Sequence, residues 1–314
     1  MTLTHPSRHE DNFVTSPYFA PAQPPRGVLS LSGEDRSTFL QGLVSNDMRK
    51  LAPDQAVWTA LLTAQGKYLH DFFALTLGDT ILLEGEGARI ADLKKRLGLY
   101  KLRAKIALND VSAEYETWLG WGDGAAAALG LAEAGQAAAL GSGIAYVDSR
   151  RAALGIRCVL PAGQGADLLA GRGFVPGDWA DWERLRLIEG VPDGSRDLLP
   201  EKSILLENGF DELNGVAWDK GCYIGQELTA RTKYRGLIKK RLMPVAITGA
   251  LPAPGTLVTR PDGSEAGEIR SGLDGTALAL IRFQALEAGG PYRAGDSGVE
   301  PLPPGWLQRP DAAG

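Results

Sequence analysis

Cysteine and histidine are scarce in this sequence: Cys158 and Cys222, with His5, His9 and His70, are the full complement in 314 residues. Two thiols cannot form a disulfide framework. With no CxxC pair and no histidine cluster, one chain also falls short of the roughly four ligands that an iron–sulfur cluster or structural zinc takes. No metal site is therefore expected. Positive charge is not in excess either. Lys and Arg number 33 against 38 Asp and Glu, a net charge of -5, whereas nucleic-acid-binding domains are usually basic. No apolar run approaches the about 18 to 20 residues that cross a bilayer. The opening "MTLTHPSRHEDNFVTSPYF" carries charge and proline where a secretory signal has an apolar core, and it is not Arg-rich like a transit peptide. A cytoplasmic protein is the expectation, with no membrane and no nucleic acid among its partners.

What is present has the balance of a globular chain, 44% hydrophobic and 23% charged. Its length allows two or three cores. The first 25 residues hold five prolines and read as an irregular arm. "RGVLSLSG" predicts a strand and "EDRSTFLQGLV" a helix with Phe39, Leu40 and Leu43 on one face. "QAVWTALL" and "KYLHDFFALTL" predict strands joined by a turn at "TAQG". Residues 121–143, rich in Ala and Gly, read as a loosely specified surface helix and connector. Cys158 falls in an apolar strand, as a small buried hydrophobe does. "DWADWERLRLIEG" predicts an amphipathic helix with Trp179, Trp182 and Leu185, and with Ile188 or Glu189 near its end. Beyond residue 236, short strands alternate with "APG", "PDG", "LDG" and "EAGG" turns, the pattern of a small antiparallel barrel or sandwich. The last residues, "PLPPGWLQRPDAAG", read as a tail.

The most unusual stretch is "WDKGCYIGQELTARTKYRG", residues 218–236. Gly221 and Gly225 bracket Cys222 and permit sharp turns. "GQELTARTK" predicts a helix, with Glu227 and Arg231 spaced to pair. Cys222 would then lie in the turn leading to a helix N-terminus beside Lys220, where amides and a cation favour a thiolate or a bound anion. A glycine-rich turn that buries a small sulfur accounts for the same residues equally well. Arg231, Lys233, Arg235, Lys239, Lys240 and Arg241 follow with no acid among them, a local positive field suited to an anionic ligand tail or an acidic partner. Only Tyr234 interleaves, so the aromatic pattern of a single-strand binder is missing.

"KGCYIGQELTARTKYRG", with "GVPDGSRDLLPEKSILLENGFDELNGVAWD", "DRSTFLQGLVSND", "LLTAQGKYLHDFF" and "KKRLMPV", closely resembles the YgfZ family, the folate-binding relatives of glycine-cleavage aminomethyltransferase. The likeness is nearest to the branch containing the mitochondrial iron–sulfur assembly factor. It implies an α+β fold of three domains in an aminomethyltransferase-like ring with a small C-terminal β-barrel. The expected boundaries are 26–110, 111–236 with the signature, and 237–305. It further implies an accessory role in assembling or repairing clusters, mainly four-iron ones, alongside A-type carrier proteins or client enzymes. Tetrahydrofolate is the implied cofactor, and a cluster shared transiently with a partner is the implied cargo. By position, Cys222, Lys220 and Asp71 are the implied catalytic residues, with Gly221, Tyr223, Gly225, Gln226, Glu227, Arg231 and Glu189 at the cofactor. His70 stands where the transferases have a second acid beside Asp71. In "RLIEG", Ile188 stands where they have the pterin-binding glutamate. The alternative is a folate-dependent aminomethyltransferase or related one-carbon transferase.

Overall fold

Long apolar runs such as "VWTALL" and "YLHDFFAL" lack polar alternation because their strands are covered on both faces. In the computed structural model, which describes residues 16–308, the six residues of Val57–Leu62 and the first eight of Tyr68–Leu77 are all buried. They form an antiparallel sheet in the order Val57–Leu62, Tyr68–Leu77, Thr80–Glu86, Arg26–Ser32 and Ala107–Asp110. Successive side chains point to opposite faces. Leu29, Leu31, Phe72, Ile81 and Leu83 meet the helices Arg36–Gln41 and Ile90–Leu99 through Leu40, Leu93 and Leu97. Val28, Trp58, Phe73 and Leu82 meet Ile144, Tyr146 and Val159 of a second sheet.

That second sheet has six strands, in the order Val175–Pro176, Tyr18–Pro21, Tyr115–Trp121, Ile156–Pro161, Gly143–Val147 and Ala137–Leu140. Tyr18–Pro21 belongs to the stretch read as an irregular arm; it is a sheet strand, paired with Tyr115–Trp121 and Val175–Pro176. The Ala-rich stretch is not a surface helix. Gly122, Gly124, Gly130, Gly135 and Gly141 all take positive φ, which breaks helical continuation. What forms instead is one 3-10 turn, Ala127–Leu129, and the strand Ala137–Leu140. Ala125 and Leu131 cover the outer face of the sheet, over Cys158.

A closed barrel of six strands completes the chain, from Lys240–Thr248 through Ser297–Pro301. Trp306, in the presumed tail, packs on the intersheet core and donates Nε1–H to Glu189 O at 2.8 Å. The helix Trp179–Ile188 starts at Asp178, whose carboxylate accepts from Ala180 N at 2.9 Å. Trp182 is buried with Trp179 and Leu185 packed beside it, as the sequence predicts, but Glu183, Arg186 and Leu187 are inside as well, and Ile188 is 62% exposed. Arg186 is the reason. Its guanidinium donates to Glu183 Oε1 (2.6 Å) and Oε2 (2.8 Å), Asp197 Oδ2 (2.9 Å), Val191 O (2.7 Å) and Ser271 Oγ (2.8 Å). Five hydrogen bonds from one buried cation to four residues bind helix, following loop and barrel together.

A second buried network joins the two sheets. Glu84 accepts from Arg26 Nε (2.5 Å), Arg157 Nη2 (2.9 Å) and Tyr146 Oη (2.8 Å). Burial pushes the Glu84 carboxyl up, but Arg157 and Arg26 outweigh it and hold it at about 2. A carboxylate depressed from 4.5 to about 2 stabilises the fold above pH 4.5, and that stabilisation is lost as pH falls towards 2. Glu84→Gln strands two guanidiniums and should cost about 3 to 5 kcal/mol in denaturant unfolding at pH 7. The gap between variant and wild type should shrink as pH falls from 4.5 towards 2.

Candidate functional site

The segment carrying the signature folds back onto the first sheet. Ser45 Oγ donates to Gly215 O at 2.7 Å, Ala217 N to Ser45 O at 3.1 Å, and Asn46 Nδ2 to Asn214 O at 2.6 Å. Further along, Gly225 takes φ +81 and sits against the hairpin turn containing Gly66, φ +67. A Cβ at Gly225 would lie 2.6 Å from Thr63 O and 2.9 Å from Gly66 Cα; one at Gly66 would lie 3.1 Å from Gly225 O. The two turns fit because both residues lack side chains. Gly225 then caps the helix Gln226–Tyr234. Gly221 has no such need: its φ is not positive and its Cβ position is open.

Cys222 is exposed, so the buried-sulfur reading fails for it; Cys158 is the buried thiol, with its pKa pushed up by that burial. Lys220, expected to support a thiolate, does something else. Its Nζ is buried and donates to Val44 O (2.6 Å) and Asn46 O (2.7 Å), 5.1 Å from the Tyr223 ring centroid. Burial pushes Lys220 down to about 8. Its ammonium ties the signature turn to the "VSND" segment. Tyr223 is buried in the intersheet core. Gln226 is half-buried, whereas Glu227 and Arg231 are exposed and form no ion pair with each other among the described residues.

The basic run is partly neutralised. Lys233 meets Asp211 at 2.8 Å and lies 4.2 Å from the Trp218 ring centroid. Lys240 lies 3.9 Å from Glu207, and buried Arg241 pairs with Glu212. Arg231 and Tyr234 are exposed on the signature helix, and Arg235, Leu237 and Lys239 are exposed just beyond it.

A cavity of about 670 Å³ opens beside this segment. Its walls include Asn46, Lys50, Trp58, Ser149, Asp211, Asn214 and Trp218. Ser149 Oγ is buried there without a hydrogen-bond partner. None of the residues assigned from the signature lines it, nor do Asp71 and Glu189. Asp71 is buried and accepts from Trp58 Nε1 (3.0 Å) and Tyr68 Oη (2.8 Å). Burial raises its pKa, countered by Arg26 and these two donors. It holds the Trp58 ring that lines the cavity, and its own carboxylate is not part of the cavity wall. His70 turns to the opposite face and bonds Asp92 Oδ2 at 2.8 Å. Glu189 pairs with Arg151 at 3.0 Å, and Ile188 faces solvent. The residues missed were Asn46, Ser149, Asp211 and Asn214. Three of them lie in "SND" and "FDELNG", segments whose likeness was visible although their contribution to one cavity was not.

Two layered sheets with a barrel packed on the helix Trp179–Ile188 make this an aminomethyltransferase fold. A solved structure, glycine cleavage system aminomethyltransferase T from Bartonella henselae, matches with TM-score 0.74 over 94% of this chain and 87% of its own, at 14% identity. Residues 239–309 match the family model of the CAF17 C-terminal beta-barrel domain. Two relatives are named iron-sulfur cluster assembly factor IBA57, mitochondrial. The mouse protein is 33% identical over 286 residues, covering 83% of this chain and 77% of the relative. The human protein is 34% identical over 281 residues, with the same coverage. This chain belongs to the IBA57 family of iron–sulfur cluster assembly factors. The expected cytoplasmic location does not stand, because these relatives are named as mitochondrial proteins.

Two outcomes are expected from this geometry. In the native protein one thiol should react promptly with a thiol reagent, and Cys222→Ser should leave none until the fold opens Cys158. Gly225→Ala should destabilise the protein by more than about 1 kcal/mol, since positive φ and steric overlap act together. Thermal unfolding would measure that loss.

Proposed function

We propose that this chain is an accessory factor in iron–sulfur cluster assembly, mainly of four-iron clusters, which offers Cys222 to an A-type carrier protein or a client enzyme. The observation that carries this reading is the placement of the cysteine. It is exposed on a turn that is itself held rigidly by Lys220, Tyr223 and Gly225. The cluster is cargo: one thiolate supplies one ligand, and the remainder must come from the partner. The neighbouring Arg231, Arg235 and Lys239 add long-range attraction for an acidic partner surface.

Tetrahydrofolate fits the cavity by volume and by donor set. A site for a molecule of this size commonly spans about 300 to 1,000 Å³ with aromatic walls and a few directed polar groups. Here Trp58 and Trp218 supply the walls, and Asn46, Asn214 and Ser149 supply amide and hydroxyl groups. Asp211 takes the carboxylate role that the resemblance placed near Glu189. It already accepts from Trp218 Nε1 and Lys233, and each carboxylate oxygen retains a further lone pair. Lys50 provides a cation for an anionic tail. Bound folate would supply one-carbon carriage; the chain's own residues bind and orient it. The one-carbon transferase reading loses the acid that the resemblance assigned to it, because Asp71 is held by Trp58 and Tyr68 outside the cavity lining.

Cys222→Ser should unfold at the wild-type temperature yet fail to restore four-iron enzyme activity in cells lacking the protein. Full restoration would overturn the thiol's role. Tetrahydrofolate titration should show saturable binding, weakened up to about tenfold by Asn214→Ala. Ile188→Glu should leave that affinity unchanged, because residue 188 faces solvent.

A further inference from the structure

One stretch stands apart in charge from this acidic chain. From Leu93 to Lys105, "LKKRLGLYKLRAK" contains six cations and no acid. It forms the end of the helix Ile90–Leu99 and the turn that follows, on the first sheet. Arg96 is paired with Asp92 at 2.8 Å and Lys105 with Glu34 at 2.8 Å. Lys94, Lys95, Lys101 and Arg103 form no ion pair among the described residues.

Apolar side chains project between these cations. Leu99 is 69% exposed, Tyr100 43% and Leu102 89%. The six residues 98–103 are all exposed in succession, so they form a protrusion and not the floor of a groove. The turn is nonetheless well defined. Tyr100 N donates to Leu97 O (3.1 Å), Lys101 N to Gly98 O (3.2 Å) and Ala104 N to Lys101 O (2.7 Å). Leu102 sits on it at φ 40, a left-handed conformation that bulky residues rarely adopt. Nothing inside the fold covers that leucine. A glycine would serve the turn better, so the turn's geometry does not explain the side chain.

We propose that this protrusion is a peripheral docking site for an anionic lipid bilayer. A protruding apolar tip fits a soft interface, whereas an acidic peptide would need a surface on which to lie. Leu99 and Leu102 would enter the acyl boundary and Tyr100 the headgroup level, where tyrosine is favoured. Lys95, Lys101 and Arg103 are long enough to keep their charges at the phosphates. The expectation of no membrane partner came from the lack of a spanning segment, and peripheral docking needs none.

The test is sedimentation of the full chain with vesicles of phosphatidylcholine alone or with anionic lipid added. Binding should require the anionic lipid and weaken with salt. Lys101→Glu with Arg103→Glu should reduce it at least about 25-fold, since each cation near such a surface contributes about fivefold. Leu102→Gly separates docking from folding: it should hold or raise thermal stability while weakening vesicle binding about tenfold. Absence of wild-type binding, or binding indifferent to Leu102→Gly, would overturn the proposal. So would equal affinity for soluble polyglutamate, which would make the site one for an acidic polypeptide.

Discussion

A single carboxylate stands at the meeting of the two sheets. Glu84 is fully buried, yet it is surrounded by Arg26, Arg157 and Tyr146 from three different strands. The apolar residues around it would hold the sheets together in several relative positions, because apolar contact has little directionality. Charged hydrogen bonds do not allow that freedom. Arg157 also stacks 4.7 Å from the Phe73 ring centroid, so the network is anchored in the core that it crosses. Its neighbour Arg150 extends the constraint: it is paired with Asp148, donates to Pro192 O and lies over the rings of Phe73 and Trp58. Trp58 is a wall of the cavity. The position of that wall therefore depends on charges that lie outside the cavity lining.

Arg186 does for the barrel what Glu84 does for the sheets. Asp197 accepts from Arg186 and also from Ser271 N and Oγ, so a loop carboxylate is shared between a helix and a barrel strand. Removing either partner would leave a buried charge without compensation, a far larger penalty than loss of a surface pair. Both networks specify how layers are arranged and leave the layers' own stability to apolar packing.

These networks mark the limit of what could be read from residues in order. The strands "VWTALL" and "YLHDFFALTL", the turn at "TAQG", the helix at 179–188 and an antiparallel C-terminal module were legible, since each is set by a local pattern of burial and turns; that pattern left barrel or sandwich open, and the resemblance pointed to the barrel. The buried face of Trp179–Ile188 was not. A helix that turns arginine and glutamate inward and isoleucine outward violates the hydrophobic pattern, and only the distant Asp197 and Ser271 make that arrangement favourable. Residues 121–143 misled for another reason: alanine favours helix, but positive-φ glycines spaced through the stretch overrule it. At the site, the exposure of Cys222 suited its setting among glycines, while the role of Lys220 depended on carbonyls more than 170 residues away in the chain. The cavity residues were the least legible, because they come from four separate segments and no spacing unites them.

The contact between Gly66 and Gly225 has a consequence for how these sequences can vary. Most tight contacts in proteins can be repaired after a change, because a neighbour can shrink when its partner grows. Here both sides already have the smallest side chain available, and the atoms beyond them are backbone or the Cβ atoms of Leu62 and Leu228. No second-site suppressor can be found at either position for a bulkier residue at the other. The hairpin turn and the signature turn must then be inherited as one shape, and drift in this part of the chain is confined to the residues around them.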